Sequence, residues 1–164
     1  GSSDVVLDST YPIYVFKLIN IHPSALDAFF EINFSTDSGS NYNVAKTTTL
    51  FAAYHNESGS ATGLNYNTSH DSAQNTGGAR INTSQGNGND ESFSGEIFLY
   101  NPSSTTFVKH FMSRLSTHGS SSYLYDFYSA GYGNTTSAID GVKFAYASGN
   151  IDLGTIKLYG IKDS

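Results

Sequence analysis

The chain contains no cysteine, so it can build neither a disulfide framework nor a thiolate metal site or nucleophile. Tryptophan is absent too, and Met occurs once and Pro three times in 164 residues. Charge is scarce: Asp, Glu, Lys and Arg make up 13% of the chain, against an ordinary globular share of about 25%. The formal net charge of −6 argues against a phosphate-binding surface, because nucleic-acid affinity comes mainly from clustered Lys and Arg. Apolar runs such as Ile13-Tyr14-Val15-Phe16 and Leu50-Phe51-Ala52-Ala53-Tyr54 are far too short to cross a bilayer, so no membrane insertion is expected.

Catalytic signatures are missing as well. His22, His55, His70, His110 and His118 show neither H-x-x-x-H nor H-x-H spacing. No G-x-S-x-G elbow exists, and the Gly-rich stretches lack the Lys-Ser/Thr of a P-loop. Asp90 and Glu91 are adjacent, with Glu96 close by. Adjacent strand positions point to opposite faces, and a loop leaves their separation open, so they do not read as a glycosidase pair. The Asn87–Glu91 cluster is dense in oxygen donors but lacks EF-hand spacing and matches an ordinary turn. No enzyme, cofactor or metal is expected.

What is present is polar and aromatic: 12 Tyr, 11 Phe and 16 Gly among many Ser, Thr and Asn residues. That aromatic content excludes a disordered chain. Residues 1–3 read as the remnant of an expression tag, leaving residues 4–164 as one domain cut from something longer. β-Branched and aromatic segments recur between Gly, Asn, Ser and Asp clusters. They predict strands over 13–21, 29–35, 47–55, 94–100, 105–112, 123–129, 139–146 and 155–161, with short ones near Asn65 and Arg80. Pro23–Phe30 is the one place with room for a helical turn or two. The fold class is therefore all-β: an antiparallel β-sandwich of jelly-roll type, two sheets of four, with a β-barrel as the competitor. Its core is expected to hold Phe30, Ile32, Phe34, Ile97, Leu99, Ile139, Phe144, Ile156 and Leu158. The polar stretch Asn56–Gly95 reads as long loops supplying little core.

Three stretches carry a family resemblance. They are Ser35-Thr36-Asp37-Ser38-Gly39-Ser40-Asn41-Tyr42, Phe93-Ser94-Gly95-Glu96-Ile97-Phe98-Leu99-Tyr100-Asn101-Pro102, and the block from Ile139-Asp140-Gly141-Val142-Lys143-Phe144 to Leu158-Tyr159-Gly160-Ile161. Together they resemble the jelly-roll domains of bacteriophage virion proteins, including tail fibres and head fibres of marine and cyanobacterial phages. The resemblance implies a fold and an extracellular virion setting, with other virion subunits as neighbours, and carries no catalytic residue. The function expected on this basis is non-enzymatic recognition of a host cell-surface glycan or receptor. A decoration domain without ligand and a carbohydrate-binding module of a secreted polysaccharide-degrading enzyme are the alternatives. Avidity calls for several copies, and a homotrimer is expected.

Two groups of residues are candidates for the contact. In the polar stretch, Tyr66 is the aromatic anchor, and Asn67, His70, Asp71, Asn87 and Asp90 are hydrogen-bonding groups. In the run Tyr123–Tyr128, alternation places Tyr123, Tyr125 and Phe127 on one face and Leu124, Asp126 and Tyr128 on the other. A Tyr face offers a sugar's C–H groups a stacking surface; the same residues also suit a core strand or an interface.

Overall fold

The computed structural model describes residues 7–66 and 68–163. Ten strands run in chain order: β1 (Ile13–Pro23), β2 (Phe30–Ser35), β3 (Lys46–Asn56), β4 (Thr62–Tyr66), β5 (Ala79–Arg80), β6 (Phe93–Tyr100), β7 (Lys109–Gly119), β8 (Tyr123–Gly133), β9 (Gly141–Tyr146) and β10 (Ile151–Ile161). A large sheet of seven strands, ordered β10-β1-β6-β7-β8-β3-β4, faces a small sheet of three, ordered β5-β2-β9. All strand pairs are antiparallel. The molecule is the expected all-β sandwich, and its chain passes repeatedly from one sheet to the other, as a jelly roll does. The strands divide seven to three where four and four were expected, because the meander β6-β7-β8 stays within the large sheet.

Period-2 alternation explains which side chains fill the core. On β2, Phe30, Ile32 and Phe34 are wholly buried and alternate with half-buried Glu31 and Asn33. They meet the large sheet through edge-on aromatic contacts: Phe30 with Phe93 at 4.9 Å and Phe34 with Phe111 at 5.5 Å between ring centroids. Ile97, Leu99 and Ile139 are buried as expected, while Phe144 and Leu158 pack half-buried against the same cluster. Ile156 is a correction: it is 38% exposed, on β10, the edge strand of the large sheet, which has a neighbour on one side alone.

Three further expectations change. The strand placed at 105–112 runs instead from Lys109 to Gly119, leaving Phe107 exposed in the preceding turn. Pro23–Phe30 forms no helix; Asp27 takes φ +54° there, in the left-handed region, and breaks any helical run. The largest correction concerns the polar stretch 56–95. It carries the short strands expected near Asn65 and Arg80, as β4 and β5, but instead of supplying little core it sends Ala79, Ile81 and Phe93 into it.

Asn82 and Gln85 from that stretch are also fully buried, and their bonds show why polar side chains fit there. The Asn82 oxygen accepts from Phe30 N at 2.7 Å, and its amide donates to Gln85 Oε1 at 3.1 Å. Gln85 Oε1 also accepts from the Tyr146 hydroxyl at 2.7 Å, and Gln85 Nε2 donates to Ile21 O at 2.8 Å. Both side-chain amides thereby find partners for oxygen and nitrogen alike, and β1, β2, β9 and the stretch are tied at one node.

Candidate functional site

The outward face of the large sheet gathers the exposed aromatic and charged side chains. Strand register aligns one row across all seven strands: Lys157, Lys17, Glu96, Arg114, Tyr128, Phe51 and Tyr66. At its β4 end the row is an aromatic platform. Phe51 and Tyr128 lie parallel within 4° at 5.1 Å between centroids, and Tyr66 sits opposite Phe51 on the next strand. Phe51 is 40% and Tyr66 58% exposed, so ring faces are open to solvent. Towards the middle, Arg114 grips Asp126 with two bonds, Nε to Oδ1 at 3.1 Å and a terminal nitrogen to Oδ2 at 2.8 Å. Its guanidinium carbon lies 5.0 Å from the Tyr128 ring centre. Asp126 holds the guanidinium charged, pushing its pKa further up. Lys17 pairs with Glu96 beside it.

A groove of about 430 Å³ follows this row, lined by Lys17, Glu96, Arg114, Ser116, Leu124 and Asp126. A second apolar row runs parallel: Tyr159, Val15, Phe98, Met112, Ala130 and Thr49 in register. The face thus offers flat ring surfaces next to fixed hydrogen-bonding groups of both signs.

The residues singled out from sequence fall in four places. Tyr66, His70 and Asp71 cluster at the β4 edge. The Tyr66 hydroxyl donates to Asp71 Oδ2 at 2.6 Å, and Asp71 Oδ1 accepts from Leu50 N at 2.9 Å. His70 sits against Phe29 and 3.1 Å from an Arg80 nitrogen; burial, with Arg80 beside it, holds its pKa below the usual value. Asn67 lies outside the described residues.

Tyr128 joins the platform through Phe51, but Tyr123 and Tyr125 point to the opposite face, as alternation requires. There they stack in a ladder, Tyr123 on Tyr125 at 5.7 Å and Tyr125 on Phe127 at 5.3 Å, with Tyr54 against the first two. Tyr125 packs half-buried against the core, and that desolvation raises its hydroxyl's pKa.

Asn87 and Asp90 lie in the loop before β6, at the ends of β1 and β7, where Gly88 O meets His22 and Ser92 O accepts from His118 N. Asp90 lines a depression of about 570 Å³ with His22, Asn89, Glu91 and Leu153. Five strand spacings separate β4 from β1, whose His22 holds this loop, or about 24 Å at roughly 4.8 Å each. The polar stretch therefore does not present its residues as one surface. In this depression His22 Nδ1 lies 2.7 Å from Asp152 Oδ1, and Nε2 lies 3.0 Å from Gly88 O. Both partners are acceptors, so both ring nitrogens donate and the imidazolium form fits; Asp152 accordingly raises the His22 pKa. No group of His, Cys, Asp and Glu suited to a metal ion occurs among the described residues.

Phe51 and Arg114 were not picked out from sequence. The alternation of Thr49, Phe51, Ala53 and His55 on β3 carries the signal for Phe51. Their meeting with Tyr128 depends on register between strands far apart in sequence, which no local pattern encodes. No protein-family model, no curated protein and no solved structure matches the chain.

Proposed function

We propose that this chain is a non-enzymatic virion module that binds a host cell-surface glycan through the outward face of its large sheet. One observation carries the reading: the parallel Phe51–Tyr128 pair, with Phe51 and neighbouring Tyr66 exposed and the Arg114–Asp126 clamp beside it. Ring faces stack on the C–H side of a sugar, and a rigid carboxylate–guanidinium pair offers both acceptors and donors to its hydroxyls. The resemblance to phage fibre domains supports the virion setting and several copies per particle, with a homotrimer giving weak single contacts their avidity.

A glycan array tests this directly. Specific binding is expected, weakened about tenfold or more (about 1.4 kcal/mol) by Phe51→Ala or Tyr66→Ala. Tyr123→Phe, on the opposite face, should bind as the parent does. Silence across the array, with the parent folded, sinks the glycan reading. A decoration role then takes its place, favoured by β10, an edge strand that leaves Leu153, Ile156, Tyr159 and Ile161 exposed as a surface for neighbouring subunits.

A further inference from the structure

Lys46 and Lys109 are both wholly buried, and both are paired in register with Gly133 on β8. Neither forms an ion pair among the described residues. The Lys109 ammonium is held by two carbonyls, Phe107 O at 2.8 Å and Thr135 O at 3.2 Å. Lys46 is placed differently. It reaches from β3 in the large sheet to β2 in the small one, and its Nζ lies 2.5 Å from the side-chain oxygen of Asn33 and 2.7 Å from Val44 O.

We propose that Lys46 and Asn33 form an intramolecular amide cross-link, Lys46 Nζ to Asn33 Cγ, with Glu31 as the proton carrier. Four features of the site support it. The amine is buried beside a carboxamide instead of a carboxylate. The Asn33 oxygen also accepts from Phe34 N at 2.9 Å, a donor that polarises the carbonyl and holds the charge that develops on attack. The Asn33 nitrogen donates to Tyr42 O at 2.6 Å and Thr76 O at 3.2 Å, so the carboxamide plane is fixed. Glu31 stands two residues before Asn33 on β2, hence on the same face, half-buried and within electrostatic reach of Lys46.

Proton availability follows from the same burial. Desolvation pulls the Lys46 pKa down to about 8, so a neutral amine is accessible near neutral pH. Desolvation pushes the Glu31 carboxyl up, opposed by Arg80, Lys46 and Lys143, which brings its proton affinity closer to what transfer requires.

The step balances without an oxidant or co-reactant. The Nζ lone pair attacks Cγ, and the carbonyl oxygen takes up charge under the Phe34 N–H. Glu31 accepts a proton from the attacking nitrogen and passes it to Nδ2. The Cγ–Nδ2 bond then breaks, ammonia leaves, and an amide links the two sheets.

Intact-mass measurement of the purified, folded chain, then denatured, tests the proposal. The expected mass is below the sequence value by about 17 Da, one ammonia. Trypsin should leave Lys46 uncut, giving one Leu18–Arg80 peptide with that loss and a branch between residues 33 and 46, while Lys109 is cut normally. Lys46→Arg and Glu31→Gln, each checked for native circular dichroism, should return to the full mass. A parent chain at its full mass after long incubation between pH 8 and 9 overturns the cross-link, and so does a loss that maps to the Asn87-Gly88 pair. A Glu31→Gln chain that still loses ammonia overturns the role given to Glu31.

Discussion

Replacing Gln85 with Ala should remove a large part of the stability of this fold. Gln85 is wholly buried and serves three partners: Ile21 O, the Asn82 amide and the Tyr146 hydroxyl. Truncation orphans all three at once in a site that water reaches poorly. Each buried unsatisfied group costs about 1–3 kcal/mol, and a water entering the new cavity recovers part of that. The expected loss is therefore about 3–6 kcal/mol, a large share of a typical total of about 5–15 kcal/mol. Tyr146→Phe gives the calibration. It removes one donor while Gln85 Oε1 keeps Asn82, so it should cost only about 1 kcal/mol. Urea unfolding followed by far-ultraviolet circular dichroism measures both, with the slope checked for constancy. In a double-mutant cycle the two changes should couple, since they share one oxygen. A loss below about 1 kcal/mol for Gln85→Ala, at unchanged slope, would refute the reasoning. The stretch 56–95 would then be a solvated connection after all.

Other outcomes follow from the same geometry. Phe34→Ala should cost about 3–5 kcal/mol through lost burial and a residual cavity, whereas Ile156→Ala on the exposed edge should cost much less; equal losses in thermal unfolding would contradict the assigned faces. The His22 pKa is raised in the folded state, so its contribution is present below its unfolded value near 6.5 and is lost as pH rises through the folded value. The melting temperature of the parent relative to His22→Gln should accordingly be higher at pH 5 than at pH 8, and a flat difference would mean that the Asp152 contact does not persist in solution. Ser121 and Ser122 in the β7–β8 turn both take positive φ, 63° and 59°, so Ser122→Gly should raise the melting temperature by relieving left-handed strain.

Much of the fold could be read from residue order because alternation is a local property. Phe30, Ile32 and Phe34 announce a buried strand face by themselves, and the structure places all three at the centre of the core. Ile156 looks equivalent in sequence, yet its burial depends on the place of β10 at the edge of the large sheet, which is a matter of assembly. The same limit hid the role of the polar stretch. Asn82 and Gln85 look like loop residues until their acceptors and donors on β1, β2 and β9 are known. The candidate site was legible in part: Tyr66 and Tyr128 were singled out, but Phe51, which stands between them, and Arg114 emerge only from strand register.

The pairing of β1 with β10 sets the timing of assembly. Ile13 pairs with Ile161 and Leu18 with Ile156, so the second strand from the edge waits for the last strand of the sheet to be made. Until then β1 can bond only to β6, and its other side stays open to any extended chain nearby. Contacts this distant along the chain are slow to form, because a long loop must close before any pairing compensates its entropy. Truncation within Thr155–Ile161 should therefore affect yield before it affects any binding surface: the product would carry an open β1 edge and would pair with its own copies during synthesis.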